Sequence, residues 1–127
     1  MQESPSLGLV LWTTDIGALS RFLVDVAGFE VVREFPGFAR LHAWNAVVEL
    51  HSDDDADRRH PWYQALAREG AARGIGTEIR IGVPGVDAAF QTALNLGALA
   101  IRHPAEVHNV YEATVMGPDG YLITLWE

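Results

Sequence analysis

The residues Gly117-Pro118-Asp119-Gly120-Tyr121-Leu122-Ile123-Thr124-Leu125-Trp126-Glu127 decide the fold. Pro-Asp-Gly is turn chemistry: proline presets φ, aspartate bonds locally, and glycine accepts a positive φ. The residues after it alternate. Ile123 and Leu125 point to one face, and Leu122, Thr124 and Trp126 to the other, as in a strand. A similar strand stands mid-chain, Ala46-Val47-Val48-Glu49-Leu50-His51. Each closes a half of similar layout. The chain therefore reads as two copies of one small unit, with both closing strands contributing to one shared concave site.

Working outward, the first half opens with a strand from Leu7 to Thr13. Asp15 stands where an N-cap belongs, and Leu19, Phe22, Leu23 and Val26 recur at helical spacing until Gly28 ends the helix. Strands follow over Phe29 to Phe35, Phe38 to Trp44 and Ala46 to His51, with Pro36-Gly37 and Asn45 as turns. The second half repeats this βαβββ order: a strand from Thr77 to Val83, a helix from Val86 to Leu96, then strands Ala98 to Arg102, Tyr111 to Met116 and Tyr121 to Trp126. We expect one α+β domain over 1–127: module one over 6–51, a linker over 52–76, and module two over 77–127. The linker carries the charge run Asp53-Asp54-Asp55 and a short helix predicted from Trp62 to Ala72. A connection of that length has its own structure or a task.

Composition narrows the partners. The chain has 127 residues and a formal net charge of −8, which disfavours nucleic acid and anionic membranes. It has no cysteine, so disulfides and thiolate metal sites are excluded. No apolar run approaches the roughly 20 residues that span a bilayer. Nothing at the N-terminus resembles a secretory signal, so the cytoplasm is the expected location. All nine basic residues are arginine, which by itself defines no site.

Parity along the strands assigns faces. Leu9, Leu11, Val48, Leu50, Ile79, Ile81, Val83, Ile123 and Leu125 belong under the helices. Their neighbours form a mixed face holding Trp12, Glu49, His51, Glu78, Arg80, Thr124 and Trp126. Aromatic walls with a few polar groups suit a small-molecule site. A carboxylate such as Glu49 inside an apolar strand needs a partner, and Arg80 is the expected one for Glu49 or Glu78. His42, His60, His103 and His108 read as surface or structural residues, the last two flanking a Pro104-Ala105-Glu106 loop. No nucleophile motif or phosphate-binding glycine loop is present.

The paired βαβββ order, the Val-Glu-Leu strand and Gly-Pro-Asp-Gly-Tyr resemble the vicinal oxygen chelate superfamily. That group includes glyoxalase I, bleomycin-resistance proteins and extradiol dioxygenases. The resemblance covers essentially the whole chain and implies two modules curled around a cup, in a homodimer. Metal-dependent members place four ligands there; carried over, the positions are Gly8, Glu49, Glu78 and Thr124, of which Glu49 alone has its usual residue. No metal and no cofactor are therefore expected; a weak divalent site would draw on Glu49, Glu78 and His51. The resemblance implies a binding protein of the bleomycin-resistance type, with antibiotic resistance one possible role. It would sequester an aromatic or cationic compound in an acidic Trp-lined cup, with Trp126 mattering more than Trp62. The alternatives are a metal-dependent lyase, isomerase or dioxygenase with an unusual ligand set, and an accessory domain whose cup is vestigial.

Overall fold

The computed structural model describes residues 7–127 except 57, 69, 71, 72 and 75. Module one comprises β1 (Gly8–Thr13), α1 (Ile16–Ala27), β2 (Glu30–Phe35), β3 (Phe38–Ala43) and β4 (Ala46–Ser52). Its sheet, sheet one, has the order β1-β4-β3-β2, with β1 parallel to β4. The linker carries α2 (Tyr63–Ala67). Module two comprises β5 (Ile79–Gly82), α3 (Val86–Asn95), β6 (Leu99–Val107), β7 (Val110–Met116) and β8 (Leu122–Trp126). Sheet two has the corresponding order, β5-β8-β7-β6.

Local chemistry explains the helices. The Asp15 side chain accepts a hydrogen bond from the Ala18 N–H at 3.0 Å and caps α1. Gly28, at φ 75°, turns the chain so that the N–H groups of Gly28 and Phe29 reach the Val24 and Leu23 carbonyls. The N-terminus of α3 has no side-chain cap from Gly85; instead Val86 N–H donates to the Glu127 carboxylate at 3.0 Å. That places a negative charge at the helix end that favours it.

Helix α1 packs on sheet one, α3 packs on sheet two, and the two helices pack on each other. The buried sides form one core that includes Leu11, Phe22, Leu50, Phe90, Ile123 and Leu125. The parity assignment therefore holds on the helix side. The mixed face of each sheet lies on the side away from this core.

Four local expectations are corrected. Strand β6 continues through His103-Pro104-Ala105-Glu106, where a loop was expected. It is an edge strand whose register slips on both sides of Arg102, and an irregular edge tolerates proline. The turn is His108-Asn109, with φ 50° and 68°, the left-handed pair that suits a two-residue hairpin. Strand β3 stops at Ala43 because Trp44 adopts φ 55° and shares the turn with Asn45. Helix α2 ends at Ala67, well short of the expected Ala72; Glu69, Ala71 and Ala72 lie outside the described residues. Among the described residues no helix is long and apolar enough to cross a membrane.

Candidate functional site

On sheet one, strand register sets two rows on the outer face. Val10, Glu49 and Arg40 form one, and Trp12, His51 and Phe38 the next. Arg40 donates to Glu49 Oε2 from Nη2 at 2.7 Å and Nε at 2.9 Å. Glu49 Oε1 lies 3.8 Å from His51 Nε2. His51 Nδ1 lies 2.7 Å from Asp55 Oδ2. The imidazole is buried beside the Trp12 ring (6.0 Å between centroids) and the Phe38 ring (5.1 Å), and its Nε2 has no hydrogen-bond partner among the described residues.

The same face carries a cleft of about 290 Å³ where β1 meets the linker. Trp12, His60, Trp62, Leu66, Arg73 and Tyr121 line it. The His60 ring stands edge-on to Trp12 at 4.6 Å. Several polar tips of these side chains are bonded within the protein. Trp12 Nε1–H donates to the Arg58 carbonyl at 2.9 Å, and Tyr121 O–H to the Trp12 carbonyl at 2.7 Å. His60 Nδ1 accepts from Trp62 N–H at 2.9 Å. Arg73 donates to both oxygens of Asp53 and to the Trp12 carbonyl. The lining is accordingly apolar and aromatic. Gly74, at φ 63°, lets Tyr121 approach so closely that an added Cβ would sit 3.0 Å from its ring. A wider opening of about 1110 Å³ runs on along the linker past Asp54, Asp55, Arg59, Tyr63 and Arg68.

Electrostatics hold this corner together. The bidentate bonds to Asp53 keep the Arg73 guanidinium protonated above its ordinary range. Burial pushes the Tyr121 hydroxyl up. The Pro-Asp-Gly turn takes part as well. Asp119, at φ 60°, accepts from Thr14 N–H at 3.2 Å, from Thr14 Oγ1 at 2.7 Å and from the Thr13 hydroxyl. The turn therefore launches the last strand and also ties down the corner between β1 and α1.

Sheet two is built differently. Arg80, Thr124, Thr114 and Arg102 share a row. Arg80 bonds Glu78 and Glu112, each at 3.2 Å, and Arg102 bonds Glu78 at 3.2 Å. The bonds to Glu112 and then Glu78 raise the Arg80 pKa above its ordinary value. Thr124 is fully buried, its hydroxyl 2.7 Å from that of Thr114, which also accepts from Arg102. Trp126 is 41% exposed, and its ring leans over Gly82, where an added Cβ would lie 3.1 Å from it.

The seven residues singled out from sequence thus divide. Trp12, Glu49 and His51 lie on sheet one; Glu78, Arg80, Thr124 and Trp126 lie at sheet two. Arg80 pairs with Glu78 as expected, but the partner of Glu49 is Arg40. That pairing had a signal: the Trp44-Asn45 turn brings Arg40 opposite Glu49. Asp55, His60, Trp62, Arg73 and Tyr121 carried no periodic signal. Among the described residues no three His, Cys, Asp or Glu side chains converge as metal ligands.

No protein-family model matches the chain, and no curated protein matches it. Solved structures do. A glyoxalase/bleomycin resistance protein/dioxygenase family enzyme from Burkholderia phytofirmans PsJN is 22% identical, with a TM-score of 0.75 and 94% of each chain covered. A glyoxalase-related enzyme from Fulvimarina pelagi is 15% identical, with a TM-score of 0.74, covering 98% of this chain and 88% of its own. A glyoxalase/bleomycin resistance protein from Albidiferax ferrireducens T118 is 13% identical, with a TM-score of 0.71 and 94% of each covered. These likenesses establish the glyoxalase/bleomycin-resistance fold, the vicinal oxygen chelate architecture.

Proposed function

We propose that this chain is a small-molecule-binding protein that holds a planar, partly cationic aromatic compound against Trp12, without metal. The observation that carries the reading is the cleft walled by Trp12, His60, Trp62 and Tyr121. Ring surface with few free polar groups suits a flat ligand, and stacking on it contributes about 1 kcal/mol per ring pair. Asp54 and Asp55 along the adjoining opening are balanced by Arg59 and Arg68, so the preference for positive charge rests on the ring faces and on the chain's net charge of −8. We also propose a homodimer. Strands β2 and β6 leave Val31, Val32, Phe35, Leu99 and Ile101 exposed, and a second copy would cover such edges. A monomer in sedimentation at micromolar concentration would refute that assembly.

Tryptophan fluorescence titration with basic, neutral and anionic aromatic compounds tests the binding role. Basic aromatics should bind most tightly and quench. Trp12→Ala and Trp62→Ala should weaken binding more than Trp126→Ala, reversing the expectation from sequence, because Trp62 lines the cleft and Trp126 lies over Gly82. If no aromatic compound binds below millimolar concentration, or Trp126→Ala has the dominant effect, the proposed site is wrong.

A further inference from the structure

We infer that Glu49 and His51 form a two-acceptor subsite for a cationic N–H group on the ligand. The inference rests on the binding role proposed above and specifies which chemistry the protein selects.

His51 Nδ1 lies 2.7 Å from Asp55 Oδ2. An ionised carboxylate only accepts, so Nδ1 carries a proton, and in the Nδ1–H tautomer the other ring nitrogen, Nε2, presents a lone pair. That nitrogen is buried and has no hydrogen-bond partner among the described residues. Glu49 Oε1, also an acceptor, is 3.8 Å away, beyond hydrogen-bonding distance. The other oxygen, Oε2, is taken by Arg40 at 2.7 and 2.9 Å. Two acceptors therefore face each other with no side-chain donor of the described residues between them, an arrangement that is costly when buried.

The group that completes it needs two donors on one atom. An atom about 2.8 Å from each acceptor fits between positions this far apart. An ammonium or amidinium nitrogen supplies both N–H bonds and brings positive charge to the carboxylate; a hydroxyl supplies one donor, and a water molecule supplies two without charge, so a cationic nitrogen displaces it on charge. The Trp12 and Phe38 rings beside His51 favour a cation as well. Entry is from the Glu49 side, since its side chain is 23% exposed while that of His51 is 7% exposed. The ligand nitrogen meets Glu49 first, and a rotation of the Phe38 or Trp12 ring then admits it to Nε2. Sheet two offers no equivalent, because Glu78 and Glu112 already accept from Arg80 and Arg102.

The test compares tryptamine with indole, the same ring with and without an ammonium arm, by calorimetry at pH 7. Tryptamine should bind about tenfold more tightly, and Glu49→Gln should reduce that ratio to within about threefold. Equal affinity in the wild type, or a ratio unchanged in Glu49→Gln, overturns the subsite and leaves the aromatic cleft standing. Binding of neither probe overturns both. Nitrogen NMR of histidine-labelled wild-type protein provides a measurement independent of any variant. His51 should carry its proton on Nδ1, and its Nε2 resonance should move with tryptamine and not with indole. A protonated Nε2 in the free protein would also overturn the inference.

Discussion

Sheet one and sheet two place different groups at corresponding points of one topology. In each, the first strand runs parallel to the last, with Val10 opposite Glu49 in one and Arg80 opposite Thr124 in the other. Sheet one puts a carboxylate on its closing strand and a guanidinium beside it, next to a buried imidazole. Sheet two puts a neutral threonine pair at the centre, with Arg80 and Arg102 in the same row bonding Glu78 and Glu112. The helix-facing residues of both modules stay aliphatic because they share one core. The outer rows are free of that demand, so a duplicated fold can place different chemistry on its two outer faces.

The largest expected effect lies at the corner that holds the cleft. Arg73→Met leaves Asp53 buried without its guanidinium and should cost about 3 kcal/mol in urea unfolding. A loss below about 1 kcal/mol would mean that this latch is hydrated and that the cleft does not depend on it.

Tyr121→Phe should cost about 1 kcal/mol by removing the bond to the Trp12 carbonyl. It also makes a prediction about pH. Burial holds the hydroxyl above its ordinary value of 10.0, so the folded state keeps a proton that the unfolded chain releases. Stability from this group is complete below that value and is lost as pH rises through the folded pKa. Alkaline unfolding curves should therefore be flatter in Tyr121→Phe, and identical curves would contradict the buried hydroxyl.

Thr124→Val should cost about 1 kcal/mol, since it removes the buried hydroxyl pair and leaves Thr114 with Arg102 alone. If sheet two takes no part in the proposed binding, the same change should leave indole affinity unaltered; an altered affinity would return Thr124 to the binding face. Last, Arg80→Ala should cost no more than about 1 kcal/mol: its own side chain is 44% exposed, so solvent screens the pair with Glu78, but buried Glu112 loses its guanidinium. Thermal melts in low and high salt would check this. A larger, salt-insensitive loss would show that sheet two is as enclosed as sheet one.

Much of the fold was legible in the chain. The repeated βαβββ order, the Asp15 and Gly28 caps and the inward aliphatic faces are carried by periods of two and 3.6 residues, which neighbours in sequence set without reference to the rest. Parity likewise put Trp12, Glu49 and His51 on one face. The cleft was not legible, nor was the division of the candidate residues between two sheets. Arg73 reaches the Trp12 carbonyl across 61 residues and Tyr121 reaches it across 109, so no local period records either contact. Strand and helix patterns determined which side of each element is apolar. Only the packing of α1 on α3, and the ion pairs that fold the linker over β1, decided which outer surfaces meet to make a site. Those contacts depend on side-chain chemistry between segments that become neighbours only after the core has formed.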